Sequence, residues 1–166
     1  MRSFLLTTTL LISVLFGQAQ TVKPALERAK PKASSAASDI SGYWITANKA
    51  NIIEFTKSGD VYNGKIVWMR NAKDKNGKPV LDVKNPDKAK QSRQVLGSQM
   101  INNLKYNAKS GYYEGTAYQH NLGRTLGVKV KLMNNGKTLE VTAMNGSMLS
   151  RTAYWTRTTG VPSSLK

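Results

Sequence analysis

The chain has 166 residues, a formal net charge of +16 and no cysteine. That excludes disulfide staples, thiolate metal sites, a cysteine nucleophile and lipidation at a cysteine, so a single domain of ordinary size has to be held by its hydrophobic core. From Ser41 onward there are 20 Lys and Arg against 7 Asp and Glu, scattered singly, so the folded part is itself basic.

Residues 1–20 read as a secretory signal. Arg2 supplies a positive start, Phe4 to Phe16 form an apolar run shorter than the roughly 20 residues of a spanning helix, and Gly17-Gln18-Ala19-Gln20 offers small residues for cleavage near residue 20. The expectation is export to the periplasm or beyond, which argues against a nucleic-acid partner. Residues 21–41 are rich in Lys, Pro, Ala and Ser and carry too few large apolar side chains to offset ordering entropy, so they read as a flexible tether.

From Gly42 the period becomes that of strands. Tyr43 to Ala47 opens the series. Asn51 to Thr56 turns at Lys57-Ser58-Gly59-Asp60 and returns as Val61 to Met69. Even spacing on that return strand puts Tyr62, Ile66 and Trp68 on one face and Asn63, Lys65, Val67 and Met69 on the other. An aromatic face lining a barrel suits a flat or aliphatic ligand, and the same face equally suits a filled core.

Residues 71–95 break the rhythm. This long, polar, Pro-containing connection includes Asp82, Asn85, Pro86 and Asp87, and suggests either a flap over a mouth or a turn before a short helix spanning Asp87 to Arg93. Gln99 to Tyr106 then turns at Asn107 to Gly111 into Tyr112 to Tyr118, where Gly115 and Ala117 allow close backbone approach. Val128-Lys129-Val130-Lys131-Leu132 alternates apolar and cationic residues, Asn134-Asn135-Gly136-Lys137 tolerates positive φ, and Leu139 to Ala143 resumes the alternation, predicting a hairpin. Met148 to Arg157 returns from a turn near Gly146. Eight to nine short antiparallel strands with brief links predict an all-β up-and-down barrel.

Five elements in order, Gly42-Tyr43-Trp44, Tyr62 to Trp68, Asp82 to Asp87, Arg93 to Gly97 and Arg151 to Arg157, resemble the DUF2147 family of exported bacterial proteins of unknown function. The resemblance covers residues 42–158 as one domain, leaves 159–166 as a tail, and implies a lipocalin-like barrel. It departs from the family pattern after the central strand. There the family usually has a Tyr, a Pro and a Gly-Lys-x-Tyr element, whereas this chain has Tyr118, Gly123 and Arg124 without the Pro or second Tyr. Lipocalins share a Gly-x-Trp whose indole is covered by a cation from the last strand. Here that implies Gly42 and Trp44 paired with Arg157, or with Arg151 in another register, as a structural closure.

No cofactor, metal or catalytic residue is expected. His120 is the sole histidine, no spacing matches a metal motif, and Asp82 and Asp87 lie five apart in a loop. The expected function is non-enzymatic binding of a small apolar or amphipathic ligand, with Tyr62, Ile66, Trp68, Asp82, Asn85, Asp87 and Tyr118 as candidate contacts. The alternative is an envelope protein that docks on anionic lipid or polysaccharide through its basic surface.

Overall fold

The structure is a computed structural model that describes residues 38–146 and 149–163. The expected signal and nearly all of the expected tether lie outside the described residues. Eight strands run in sequence order: β1 (Gly42–Ile45), β2 (Asn51–Ser58), β3 (Val61–Met69), β4 (Gln99–Asn107), β5 (Tyr112–Gln119), β6 (Arg124–Met133), β7 (Thr138–Asn145) and β8 (Leu149–Thr158). Each pairs antiparallel with the next, and β1 pairs with β8 through Trp44↔Arg157 and Ile45↔Thr156, so the sheet closes into the expected up-and-down barrel.

The β6–β7 hairpin follows its alternation. Val130 faces Val141 inside and Lys131 faces Glu140 outside, with Asn134 and Asn135 taking the positive φ of the turn. Val128, Val130, Leu139 and Val141 are all buried. Burying an apolar side chain of this size contributes about 1.5–3 kcal/mol, which is why the polar period can be left to solvent on the other face.

Two bulges re-aim side chains that simple alternation misplaces. Ile53 pairs with Ile66, but Ile52 pairs with Trp68, so β3 carries one extra residue and its parity reverses. Met69, not Trp68, therefore packs against the core, and Trp68 joins Ile52 away from it. The single-face grouping of Tyr62, Ile66 and Trp68 is corrected accordingly. On β4 the register shifts between Asn102 and Lys105, where Asn103 has φ +53°. That shift turns Ile101 and Leu104, three apart, to the same buried side. The bulged backbone leans on Gly115, where a Cβ would stand 2.6 Å from the Asn102 carbonyl oxygen. Gly115→Ala is expected to destabilise the barrel by about 2 kcal/mol through overpacking, measurable by urea denaturation; a neutral result would mean the bulge shifts freely.

Both ends of the barrel are plugged. At one end lie the β2–β3, β4–β5 and β6–β7 turns together with the start of β1. Here Ile40 is fully buried in the core, so residues 38–41, placed in the tether by composition, are part of the folded unit. At the other end the long connection between β3 and β4 folds inward. Val95 is fully buried and Val80 packs beside it, with Val95 N donating to the Val80 carbonyl at 2.9 Å. The expected helix from Asp87 to Arg93 is only a single 3-10 turn, Lys88–Lys90.

Candidate binding site

The closure at the first end rests on Trp44 and Arg157. Trp44 is fully buried, and its Nε1 donates to the Ile40 carbonyl at 2.9 Å. The Arg157 guanidinium stands 4.2 Å from the indole centroid and donates to the carbonyls of Gly136 at 2.6 Å, Ser41 at 2.7 Å and Asp39 at 3.2 Å. Gly42 has φ +104°, and a Cβ there would meet Arg157 Nη1 at 3.3 Å, so glycine keeps the strand start clear of the guanidinium. These contacts use the arginine's donors on backbone and its face on the indole, which makes it a clamp and leaves it little to offer a ligand.

Beside this clamp three tyrosines meet at the rim. Tyr62 at the start of β3 and Tyr113 at the start of β5 have centroids 5.3 Å apart at 85°, and Tyr106 at the end of β4 lies 5.2 Å from Tyr113. Edge-to-face packing of this kind holds aromatic rings in fixed positions. Tyr62 Oη donates to Asp39 Oδ1 at 3.1 Å and Tyr113 Oη donates to the Ser38 carbonyl. With Lys57, Asp60 and Lys105 the three rings line a recess of about 200 Å³. Lys57 Nζ sits 5.6 Å from the Tyr62 ring centroid, and Lys105 pairs with Asp60. Burial, followed by the hydrogen bond to Asp39, raises the Tyr62 pKa; burial and the neighbouring Tyr62 push Tyr113 higher still. Both phenols stay protonated donors near neutrality, so the recess presents fixed rings beside Lys57 and the Lys105–Asp60 pair.

At the opposite end Asp82 gathers a second polar group. Its carboxylate accepts Tyr118 Oη at 2.7 Å on Oδ1, and Asn85 Nδ2 at 2.7 Å, Arg93 Nη2 at 2.9 Å and Arg93 Nε at 3.1 Å on Oδ2. Burial alone raises its pKa, but the hydrogen bonds from Asn85, Tyr118 and Arg93 and the charge of Arg93 outweigh that and leave it lowered. Tyr118 responds in the other direction: burial and the Asp82 carboxylate push it up to about 12. Asp87 lies outside this group, capping the 3-10 turn through Ala89 N and pairing with Lys90 at 2.8 Å. Half-buried His120 has its pKa lowered by burial, with the Asp82 charge acting the other way. Among the described residues no group of three or more His, Cys, Asp or Glu is arranged to hold a metal ion.

The candidates named from sequence therefore separate. Asp82, Asn85 and Tyr118 come together, Tyr62 stands at the other end, Ile66 is sealed in the core and Trp68 lies outside it. Sequence reasoning missed Tyr106, Tyr113, Lys57 and Lys105 as a group and Arg93 as the partner of Asp82. A signal existed for the tyrosines: Tyr62 follows the β2–β3 turn while Tyr106 and Tyr113 flank the β4–β5 turn, and in an up-and-down barrel those turns share an end.

The family described as "Uncharacterized protein conserved in bacteria (DUF2147)" matches residues 42–157. The chain belongs to the DUF2147 family. Among solved structures, this DUF2147 protein is similar to a Helicobacter pylori protein described as belonging to the lipocalin family, with a TM-score of 0.58 and 22% identity over 72% of this chain and 83% of that one. At that identity the likeness concerns the fold. No curated protein matches the chain.

Proposed function

We propose that this DUF2147 protein is an exported, non-enzymatic binding protein that holds one end of a small amphipathic ligand in the recess of Tyr62, Tyr106 and Tyr113. The observation that carries this reading is the recess itself, a concavity with aromatic walls whose rim holds Lys57 and the Lys105–Asp60 ion pair. Its 200 Å³ falls below the roughly 300–1,000 Å³ of pockets that enclose a drug-sized molecule. It suits a single ring or a short acyl end, with a carboxylate or phosphate turned toward Lys57. Binding is favoured over turnover because titratable groups at both ends are committed: the Tyr62 and Tyr113 phenols donate within the fold, and Asp82 is saturated by Tyr118, Asn85 and Arg93. Because the inward side chains pack into one core cluster, this reading puts the ligand at the rim and not in the interior that the sequence suggested. The signal-like pattern of residues 1–20 supports export.

Native mass spectrometry of the protein purified from its own host is expected to show one retained small molecule. Aryl and short-chain acyl carboxylates should then compete for it, and Tyr106→Ala should weaken their binding about tenfold, the loss of one aromatic wall. A bare mass together with no carboxylate binding at millimolar concentration would remove this reading.

A further inference from the structure

Five large hydrophobic side chains are exposed among the described residues, and four of them, Leu81, Val83, Leu96 and Leu122, lie at the end of the barrel away from the tyrosine recess. Their exposure follows from the local fold. Asp82 is pinned inward by Tyr118 and Arg93 and opens a turn closed by Asn85 N donating to its carbonyl at 2.9 Å, so Leu81 before the turn and Val83 at its corner are left outward, 40% and 65% exposed. Leu122, 49% exposed, is brought alongside by the β5–β6 turn: Lys84 Nζ donates to the Asn121 carbonyl at 2.9 Å, and a Cβ on Gly123 would collide with the Lys84 carbonyl.

The charge around these tips is strongly biased. Residues 70–98 carry eight Lys or Arg against three Asp. Asp82 is paired with Arg93, Asp87 with Lys90, and Asp74 accepts the backbone amides of Asn76 and Lys78. An acidic partner therefore meets apolar tips set among cations. An acidic polysaccharide would use the cations and gain nothing from Val83 or Leu122. A bilayer with anionic headgroups uses both, since apolar side chains enter the headgroup and acyl boundary while lysines stay at the phosphates.

We propose that the loop end of the barrel, centred on Leu81, Val83 and Leu122 with Lys84, Lys88 and Lys90 on the same connection, is a docking surface for an anionic lipid bilayer. This site is separate from the tyrosine recess and stands or falls without it. The test is sedimentation of the full chain with phosphatidylglycerol vesicles, with phosphatidylcholine vesicles, and with a soluble acidic polysaccharide. Binding is expected on the anionic vesicles alone and should weaken as salt screens it. Val83→Ser with Leu122→Ser, both exposed and so compatible with an unchanged melting temperature, should lower the vesicle partition coefficient at least tenfold. Lys84→Glu with Lys88→Glu should lower it further, at about fivefold per lysine, whereas Lys109→Glu with Lys137→Glu, at the other end, should leave most of it. Vesicle binding undiminished in the Val83/Leu122 variant, equal binding to both vesicle types, or preference for the polysaccharide would each overturn the assignment.

Discussion

Trp44→Ala is expected to cost about 3–5 kcal/mol of folding stability, the range for truncating a large aromatic side chain in a core. Three losses coincide at this position. The indole is fully buried, so its removal leaves a cavity beside Ile40. The Ile40 carbonyl loses the Nε1 donor, and the Arg157 guanidinium loses the ring face it covers at 4.2 Å. A domain of this size is stable by only about 5–15 kcal/mol, so the melting temperature should fall by about 15 °C. Two companions separate the contributions. Trp44→Phe keeps a ring and removes the hydrogen bond, for about 1–2 kcal/mol. Arg157→Lys keeps the charge but cannot span the Gly136, Ser41 and Asp39 carbonyls, and should cost a similar amount. A Trp44→Ala protein that melts within a few degrees of the parent would mean that the barrel closes without this clamp, through the β1–β8 ladder alone.

The barrel was legible wherever one residue type repeats on a two-residue period. Lys129 and Lys131 between Val128, Val130 and Leu132 define β6 with no reference to anything distant, and Asn134-Asn135-Gly136 sets its turn. What sequence concealed were departures from that period. The extra residue in β3 that turns Trp68 away and Met69 inward carries no marker, since Ile66, Val67 and Trp68 are all good strand residues. The shift in β4 is equally silent, except that Asn103 tolerates positive φ and Gly115 stands opposite. Ile40 was hidden by composition: one apolar residue at the end of a Lys/Pro/Ser-rich stretch has no periodic partner, yet the strap it belongs to is tied down by Tyr62 and Tyr113 from strands far along the chain. At the loop end, Asp82, Asn85 and Tyr118 were all picked out from sequence, and their meeting depends on how the long connection folds back, which only the three-dimensional register supplies.

Asp82→Asn is the second large effect, and its signature is local and pH-dependent. Breaking a buried ion pair by removing one partner costs about 3–5 kcal/mol; because Arg93 is 35% exposed and water can take up its charge, a cost below that range, about 2–3 kcal/mol, is expected. The lowered pKa of Asp82 fixes the sign of the pH dependence. A carboxylate whose folded pKa lies below its unfolded value contributes its stability above the unfolded pKa and loses it as pH falls through the folded one. The gap between parent and variant should therefore be full near pH 7, remain so down to the ordinary carboxylate range, and close below it. Other carboxylates with lowered values, Asp39, Asp60, Asp87 and Glu114, titrate in both proteins and cancel in the difference. The damage should also be confined. Asp82 ties the β3–β4 connection to β5 through Tyr118, while Val130 and Val141 pair with each other in the β6–β7 hairpin, away from the one point, Tyr118↔Thr125, where β6 meets that tie. Hydrogen exchange should accordingly quicken at the amides of Val80, Asp82 and Val95 while those of Val130 and Val141 keep most of their protection. Uniform loss across the barrel would place Asp82 in the global folding core; no loss at all would mean that Val80 and Val95 hold the connection by packing alone. The same loosening frees Leu81 and Val83 from their outward display, so vesicle binding should weaken in Asp82→Asn although the substitution removes a negative charge, an outcome opposite in sign to that of a purely electrostatic surface.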